Sequence, residues 1–212
     1  MQVRVGGVIR EADGSAELKV GLTQVVAAVV GPVEKPRGAD LLTVNISVAP
    51  FAFLDRKVMR RNDRRAATAA LALKGILSGV IAADRYESSY IKINVTVIAL
   101  DGNLLSPVIN CAMLAVVDAG ISLKEMVSAV DVGLVDNHVL VDLAQRELVG
   151  TPTVSVACTS RHNKLASLMM YNRVPEDALP QLVSTSQKAC ARLHQTFYEA
   201  VRRRAADGLE LA

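Results

Sequence analysis

Aromatic residues are scarce in this sequence of 212 residues. It has no tryptophan, and the three aromatic types together make up 3% of the chain. Hydrophobic residues nevertheless account for 51%, so the core must be built mainly from valine, leucine, isoleucine and alanine. A chain of this length can bury a sizeable core, and this aliphatic composition is typical of α/β proteins.

A strong excess of one charge is also missing. The 24 basic and 21 acidic residues leave a net charge of +3. Domains that bind nucleic acid through their overall charge carry a clearer basic excess. Any basic binding site in this chain must therefore be local.

The sequence lacks the spacings from which metal sites and disulfide frameworks are built. Its three cysteines and three histidines are scattered, and no HxxxH or CxxC spacing occurs. Because each cysteine lies in an apolar run, we expect buried free thiols rather than disulfides. We expect no metal and no cofactor. The cysteines are Cys111, Cys158 and Cys190, and the histidines are His138, His162 and His194.

Long apolar runs are absent as well. The opening "MQVRVGGVIREADG" has no apolar segment of the kind found in signal peptides. The most apolar window, 113–117, is flanked by Pro107, Asn110 and Asp118 and is too short to span a bilayer. We therefore expect a soluble intracellular protein without a membrane partner.

The first quarter of the chain has the pattern of β-strands. Asp13-Gly14 is a strong hairpin signal, and "TQVVAAVVGP" indicates a buried strand that ends at Gly31-Pro32. "LLTVNISVAPF" alternates between apolar and polar residues. This part is predicted to be a meander of about four strands.

Helices and strands follow in turn. A long helix is predicted within 55–85, then a strand in "YIKINVTVIALDG" and a buried helix that begins at Ser106-Pro107 and ends at Gly120. Two strands joined at Asp136-Asn137 follow, then "TPTVSVACTS", "KLASLMMYN" and a last helix over about 175–204. No long linker divides the chain, so residues 1–212 are predicted to form one compact α/β domain.

Several stretches together resemble one family. "DGSAELKVGLTQVVAAVVGP", "SVAPF", "INCAMLAVVDAGI" and "GLVDNHVLVDL" are similar, in this order, to signatures of ribonuclease PH-type proteins. The likeness extends from about residue 7 to 204. It implies an α/β, ribonuclease PH-like fold in which mixed β-sheets enclose central helices.

The resemblance also implies an assembly and an activity. Subunits of this family pair and form a six-membered ring, which in eukaryotes and archaea is the barrel of the RNA exosome. Active members degrade RNA from its 3′ end with inorganic phosphate and release nucleoside diphosphates. The expected partners are other ribonuclease PH-like exosome subunits, the cap subunits of the exosome and single-stranded RNA, with a homodimer as the form in isolation.

The phosphate-binding motif of active members is not preserved. Those members carry a motif like "DGGTR" before the central helix, where backbone N–H groups and the helix dipole favour the binding of an anion. This chain has "DGNLLSPVIN", with Asn103, Leu104 and Leu105 at the glycine, threonine and arginine positions. Each lost charge-assisted contact costs about 1.5–3 kcal/mol, so phosphate affinity should fall sharply.

A second arginine expected from the family is missing too. Active members carry a turn like "PRS" before the strand that corresponds to "YIKINV". In this chain the turn reads "YESSYI". Glu87 and Ser88 stand at the proline and arginine positions, and we expect the charge of Glu87 to repel phosphate.

The family motif also places two aspartates six residues apart after the hairpin. Asp142 matches the first, whereas Leu148 stands at the second position. Glu147 is a candidate substitute, but on a strand one residue of offset points a side chain to the other face. Asp142 is therefore interpreted as a vestigial carboxylate that hydrogen-bonds a turn, with a working acid as the alternative.

These three losses predict a non-catalytic ring subunit that scaffolds the exosome barrel, in the nucleus, nucleolus and cytoplasm. The alternative is a homodimeric nuclease, phosphorolytic or metal-dependent, that uses Asp142 and Glu147.

One local basic segment is a candidate RNA contact. "DRKVMRRNDRR" precedes the first helix, and the resemblance places this loop at the central pore of the ring. Cations there would neutralise phosphates without reading sequence. A solvated loop that pairs with Asp55 and Asp63 is the alternative. The candidate RNA-binding residues are Arg56, Lys57, Arg60, Arg61, Arg64 and Arg65.

Overall fold

The computed structural model describes residues 1–35, 38, 40–53, 64–136 and 138–210, with side chains up to residue 207. The strands are β1 (Gln2–Val5), β2 (Gly14–Val20), β3 (Thr23–Glu34), β4 (Leu42–Val48), β5 (Ser89–Ala99), β6 (Val127–Val135), β7 (His138–Val141), β8 (Thr153–Thr159) and β9 (Leu165–Tyr171). The helices are α1 (Arg64–Val80), α2 (Leu105–Asp118) and α3 (Leu179–Glu210).

The first sheet has the strand order β1-β2-β3-β5-β4. Only β1 to β3 form the predicted meander. β4 pairs with β5 in parallel, with Leu42 opposite Ile91, and the prediction of a four-stranded meander is therefore wrong. Parallel neighbours need a long crossover, and the connection that contains α1 supplies it.

Two local predictions in this sheet are wrong. The tight turn lies between Val20 and Thr23, which are paired across β2 and β3, and not at Asp13-Gly14. Gly14 is instead a strand residue packed closely on α2, because a Cβ atom there would lie 2.4 Å from the Ala115 carbonyl oxygen. β3 does not end at Gly31-Pro32 but continues to Glu34, with an irregular register between Val30 and Val33.

Helix α2 is the centre of the core. Its residues from Leu105 to Val116 are all buried, as its almost continuous apolar sequence predicts. The predicted start, with Ser106 as N-cap and Pro107 as the first helical residue, is two residues late, because the helix begins at Leu105 with Leu104 as its N-cap and no side-chain cap.

The second sheet has the order β7-β6-β8-β9 and is antiparallel throughout. The four predicted strands of this region are confirmed. A separate, smaller apolar cluster holds α3 against one face of β6 and β8, while α2 packs against the same sheet within the main cluster. The two sheets with helix α2 in the main core match the predicted α/β architecture.

The three cysteines are free and buried, as predicted. In the described part of the chain, no helix is both long enough and apolar enough to cross a membrane.

Candidate functional site

A cavity of about 510 Å³ lies where the start of α1, the β5–α2 loop, the turn after β7 and the end of β9 meet. Arg64 and Arg65 line it on one side and Tyr171 on another. We call it the central cavity. Much of its wall is apolar and includes Leu100, Leu104, Leu105, Leu148, Val149 and Met169.

The N-terminus of α2 borders this cavity, and the chain itself occupies several of its hydrogen-bonding groups. The backbone N–H of Leu104 donates to the side-chain oxygen of Asn103 at 2.9 Å. Ser106 donates its hydroxyl to Asp131, and Pro107 has no N–H. A helix N-terminus binds anions through free N–H groups, and here the Leu104 N–H is occupied and Pro107 supplies none.

Asp131 is a buried carboxylate in the middle of β6, with an exposure of 4%. It accepts hydrogen bonds from the hydroxyls of Ser106 and Ser155 and from the Asn103 amide at 3.1 Å. The same amide nitrogen lies 2.8 Å from the Ser155 hydroxyl oxygen. The network thereby joins β6, β8 and the start of α2.

The charge of Asp131 matters because it lies beside that helix start. Burial raises the pKa of Asp131 to about 6, and the charge of Asp142 adds to the rise, while the hydrogen bonds from Ser106 and Ser155 lower it. At neutral pH the group is therefore mostly ionised. The molecule has its own anion at the N-terminus of α2, and a second anion would be repelled.

A second cavity of about 470 Å³ lies between α2, β6 and α3. Asp101 and Asp142 line it together with Lys188 and Arg192 of α3, and Asn103 lines both cavities. Among the described residues, no group of three histidine, cysteine or acidic side chains converges to hold a metal ion.

Two family models together cover most of the sequence. The model for the 3′ exoribonuclease family (RNase PH), domain 1, matches residues 1–122, and the model for domain 2 matches residues 125–189. The chain belongs to this RNase PH family.

Curated relatives in the family carry exosome names. Exosome complex component RRP41 of Bos taurus is 33% identical over 211 residues, which covers 95% of this chain and 85% of the relative. The human protein of the same name is 32% identical with the same coverage. Exosome complex component Rrp41 of Archaeoglobus fulgidus is 30% identical, over 93% of this chain and 80% of its own.

Solved structures of Rrp46 and of an exosome share the fold. Rice Rrp46 superimposes with a TM-score of 0.84 at 19% identity and covers 95% of this chain and 94% of its own. A chain of the Archaeoglobus fulgidus exosome, solved with RNA bound to its active site, gives a TM-score of 0.76 at 20% identity and covers 92% of this chain and 87% of its own.

The two positions of the family's aspartate pair face different cavities. Leu148 lines the central cavity, and Asp142 lines the second cavity. Asp142 has a positive φ of 62°, and burial together with the charge of Asp101 raises its pKa. The expected hydrogen bond between the Asp142 carboxylate and a turn is not found among the described residues.

Glu147 and Asp101 perform that structural role. The carboxylate of Glu147 accepts a hydrogen bond from the Ala144 N–H at 2.9 Å, and that of Asp101 accepts one from the Gln145 N–H at 3.0 Å. This segment is a series of turns rather than a strand, so the alternation argument used for Glu147 was misplaced. Glu147 lines neither cavity because its carboxylate folds back onto its own turn.

The predicted RNA-binding residues divide into two groups. Arg56, Lys57, Arg60 and Arg61 lie outside the described residues. Arg64 and Arg65 are exposed in the first turn of α1 and line the central cavity.

Glu87 and Ser88 lie away from the central cavity. They precede β5, whereas the cavity is reached from the other end of that strand, at Leu100. Eleven strand residues separate the two ends, a distance of roughly 35 Å. Within one chain, the expected repulsion of phosphate by Glu87 therefore does not act at this cavity.

Sequence reasoning missed Asp131. Its signal was present, because a single aspartate interrupts the apolar strand "VSAVDVGLV", and a buried charge of this kind needs partners. The partners Asn103, Ser106 and Ser155 come from three other segments, so their convergence was not visible in the pattern.

Proposed function

We propose that this chain is a non-catalytic, ribonuclease PH-type subunit of an RNA exosome core ring, where it scaffolds the barrel and helps to bind RNA during 3′-to-5′ processing and degradation. The family membership and the exosome names of relatives at 30–33% identity support the assembly. The single observation that supports the absence of catalysis is the buried Asp131 carboxylate at the start of α2.

Phosphorolysis requires a second dianion to bind near the RNA 3′ end for in-line attack. At the position expected for it, two leucines replace a threonine and an arginine of active members, Asn103 satisfies the Leu104 N–H, and Asp131 adds a negative charge. Each change disfavours phosphate by its own physical cause.

The RNA contact rests on cations at the mouth of the central cavity. Arg64 and Arg65 are exposed there, and arginine binds phosphate groups without regard to base sequence. The other four basic residues of the segment remain candidates for the same surface.

The alternative of a homodimeric nuclease has weaker support. It requires Asp142 and Glu147 to act on one substrate, whereas Asp142 lines the second cavity and the Glu147 carboxylate is bonded to Ala144. Neither carboxylate lines the cavity that Arg64 and Arg65 flank.

Among ring subunits, the sequence favours the type called ribosomal RNA-processing protein forty-six, because it lacks long insertions and because of the sequence of its last helix. Rice Rrp46 supports this only at the level of the fold, while the relatives of higher identity are RRP41 proteins. We keep the coarser assignment, a ring subunit, with a nuclear, nucleolar and cytoplasmic location.

Affinity purification of the tagged full-length chain from its source tests the assembly. We expect several other ribonuclease PH-like chains and the cap subunits to co-purify, with a native mass that fits a six-membered ring plus its cap. Recovery of the chain alone, or as a homodimer that degrades RNA, would overturn the proposal.

A further inference from the structure

Two of the three cysteines meet between the second sheet and α3. Cys158 of β8 lies directly opposite Ser128 of β6 in the strand register. Cys190 of α3 places its sulfur 3.5 Å from the Ser128 carbonyl oxygen and 3.9 Å from that of Val156. Both cysteines have no exposed surface, and together they belong to the small cluster that holds α3 on the sheet.

The two thiols influence each other's ionisation. The neighbouring Cys190 thiol raises the pKa of Cys158, and the Cys158 thiol lowers the pKa of Cys190. Cys111 differs, because it is alone between the carbonyl oxygens of Ala16 and Val25, at 3.4 Å from each. Burial raises the pKa of Cys111 to about 12.

A third polar group lies within this cluster. The hydroxyl of Ser128 contacts the Cys190 carbonyl oxygen and the Nε2 atom of His194, each at 3.2 Å. If the hydroxyl donates to the carbonyl, Nε2 carries the proton and Nδ1 is bare. Nδ1 is buried and has no hydrogen-bond partner among the described residues.

We propose that Cys158 and Cys190 form a redox-sensitive dithiol that a two-electron oxidant such as hydrogen peroxide converts to a disulfide between β8 and α3. The Cys190 thiolate attacks one peroxide oxygen and becomes a sulfenic acid, and the other oxygen leaves as water after protonation. The Cys158 thiolate then attacks the Cys190 sulfur and displaces hydroxide. Two thiols lose two hydrogen atoms and two electrons, and one peroxide becomes two water molecules.

The position of the pair gives the disulfide a structural consequence. It would join α3 covalently to the sheet, next to Ala189 and Leu193, which line the second cavity. The disulfide would close a loop that runs from Cys158 to Cys190. Such a loop restricts the unfolded chain, so we expect the oxidised protein to be the more stable form. This device is independent of the proposed role in the exosome.

Burial controls the rate of oxidation. A fully buried thiol reacts only when the structure around it opens, and the part of α3 that carries Cys190 packs in the smaller of the two apolar clusters. Oxidation should therefore be slow in buffer and faster at urea concentrations below the unfolding transition.

The test uses the full-length chain treated with hydrogen peroxide, with and without urea at such a concentration. Intact mass, alkylation after denaturation and peptide mapping identify the product. We expect the loss of two hydrogen atoms, a linked Cys158–Cys190 peptide, reversal by dithiothreitol and an upward shift in Tm of several degrees. Cys111→Ala should behave as the wild type, and Cys190→Ala should not form the bond.

Three results would overturn the proposal. The first is that both thiols stay reduced even in urea. The second is a disulfide that includes Cys111 or joins two chains. The third is oxidation to sulfinic acid without formation of the linked peptide. The mapping on the wild-type chain needs no variant, so a substitution that fails to fold leaves the test intact.

Discussion

The side-chain amide of Asn103 donates a 3.1 Å hydrogen bond to the buried carboxylate of Asp131. Through this contact an internal anion holds the loop that corresponds to the phosphate-binding motif expected from the resemblance. The same hydrogen bond to Asp131 on β6 holds the Asn103 side chain where it lines both cavities.

Replacement of Asp131 should destabilise the fold because the buried groups that donate hydrogen bonds to it lose their acceptor. Asp131→Ala leaves the Ser106 and Ser155 hydroxyls and the Asn103 amide without their acceptor. We expect the free energy of unfolding to fall by about 3 kcal/mol, because each buried unsatisfied group costs about 1–3 kcal/mol and part of that cost is relieved by rearrangement. Urea denaturation measures it. Glu11→Ala, which removes an exposed carboxylate, is the control and should change stability little.

The same carboxylate predicts a pH dependence. The pKa of Asp131 is raised from 3.8 to about 6, so between these values the folded state binds more protons than the unfolded state. The group therefore stabilises the fold at acid pH, and this contribution is lost as the pH rises through about 6. Its size is about 3 kcal/mol.

Asp131→Asn isolates this effect because the amide does not titrate. The stability of this variant relative to the wild type should rise between about pH 4 and about pH 6. Denaturation curves of the variant and the wild type, recorded in parallel across this range, measure it. A difference that is constant with pH would contradict the assignment of the raised pKa to Asp131.

The RNA contact predicts a difference between two cations of α1. Arg64 lines the central cavity, whereas Lys74, on the same helix, pairs with Asp40 at 2.6 Å. Arg64→Ala should weaken binding of a single-stranded RNA and reduce the slope of log K against log salt by about 1. Lys74→Ala should leave both unchanged. Equal effects from the two variants would mean that the cavity mouth is not the contact.

Restoring the second family aspartate should not restore activity. Leu148→Asp places a carboxylate in the central cavity, but Asp142 faces the other cavity, so the pair does not act together. We expect no phosphate-dependent RNA degradation and a loss of stability of about 1–2 kcal/mol, because a charge replaces an apolar side chain in the cavity wall. The appearance of nucleoside diphosphates would show that the two residues can meet.

A pair of glycines tests the packing of the first sheet on α2. In Gly14→Ala the new Cβ atom would lie 2.4 Å from the Ala115 carbonyl oxygen, and we expect a loss of about 3 kcal/mol or more. Gly75→Ala adds a methyl group in the interior of α1 with nothing within 4 Å. It should stabilise the protein by up to about 1 kcal/mol. Thermal melts of the two variants compare them directly.

The elements that the sequence predicted correctly are those with local periodicity. The alternation of Ile91, Ile93, Val95 and Val97 predicted β5, and the nearly continuous apolar run of α2 predicted its burial. Pairing depends on distant residues, so the parallel contact of β4 with β5 was missed. Gly14 was mistaken for a turn residue because its close contact with Ala115 comes from a helix about 100 positions away.

The candidate site was predicted in part for the same reason. The leucines at 104, 105 and 148 are visible as substitutions in a motif, and they do line one cavity. That Asp142 faces a different cavity, and that Glu147 binds the Ala144 N–H, depends on the path of the turn after β7. A linear motif carries no information on that path.

The measurement that tests the central claim most directly is RNA degradation by the purified chain. A 3′-accessible oligonucleotide is incubated with Mg²⁺, with and without inorganic phosphate, at high protein concentration, and nucleoside diphosphates are quantified. We expect that no nucleoside diphosphate is released. Phosphate-dependent release that Asp142→Ala abolishes would contradict it, and would show that the Asp131 anion does not prevent phosphorolysis.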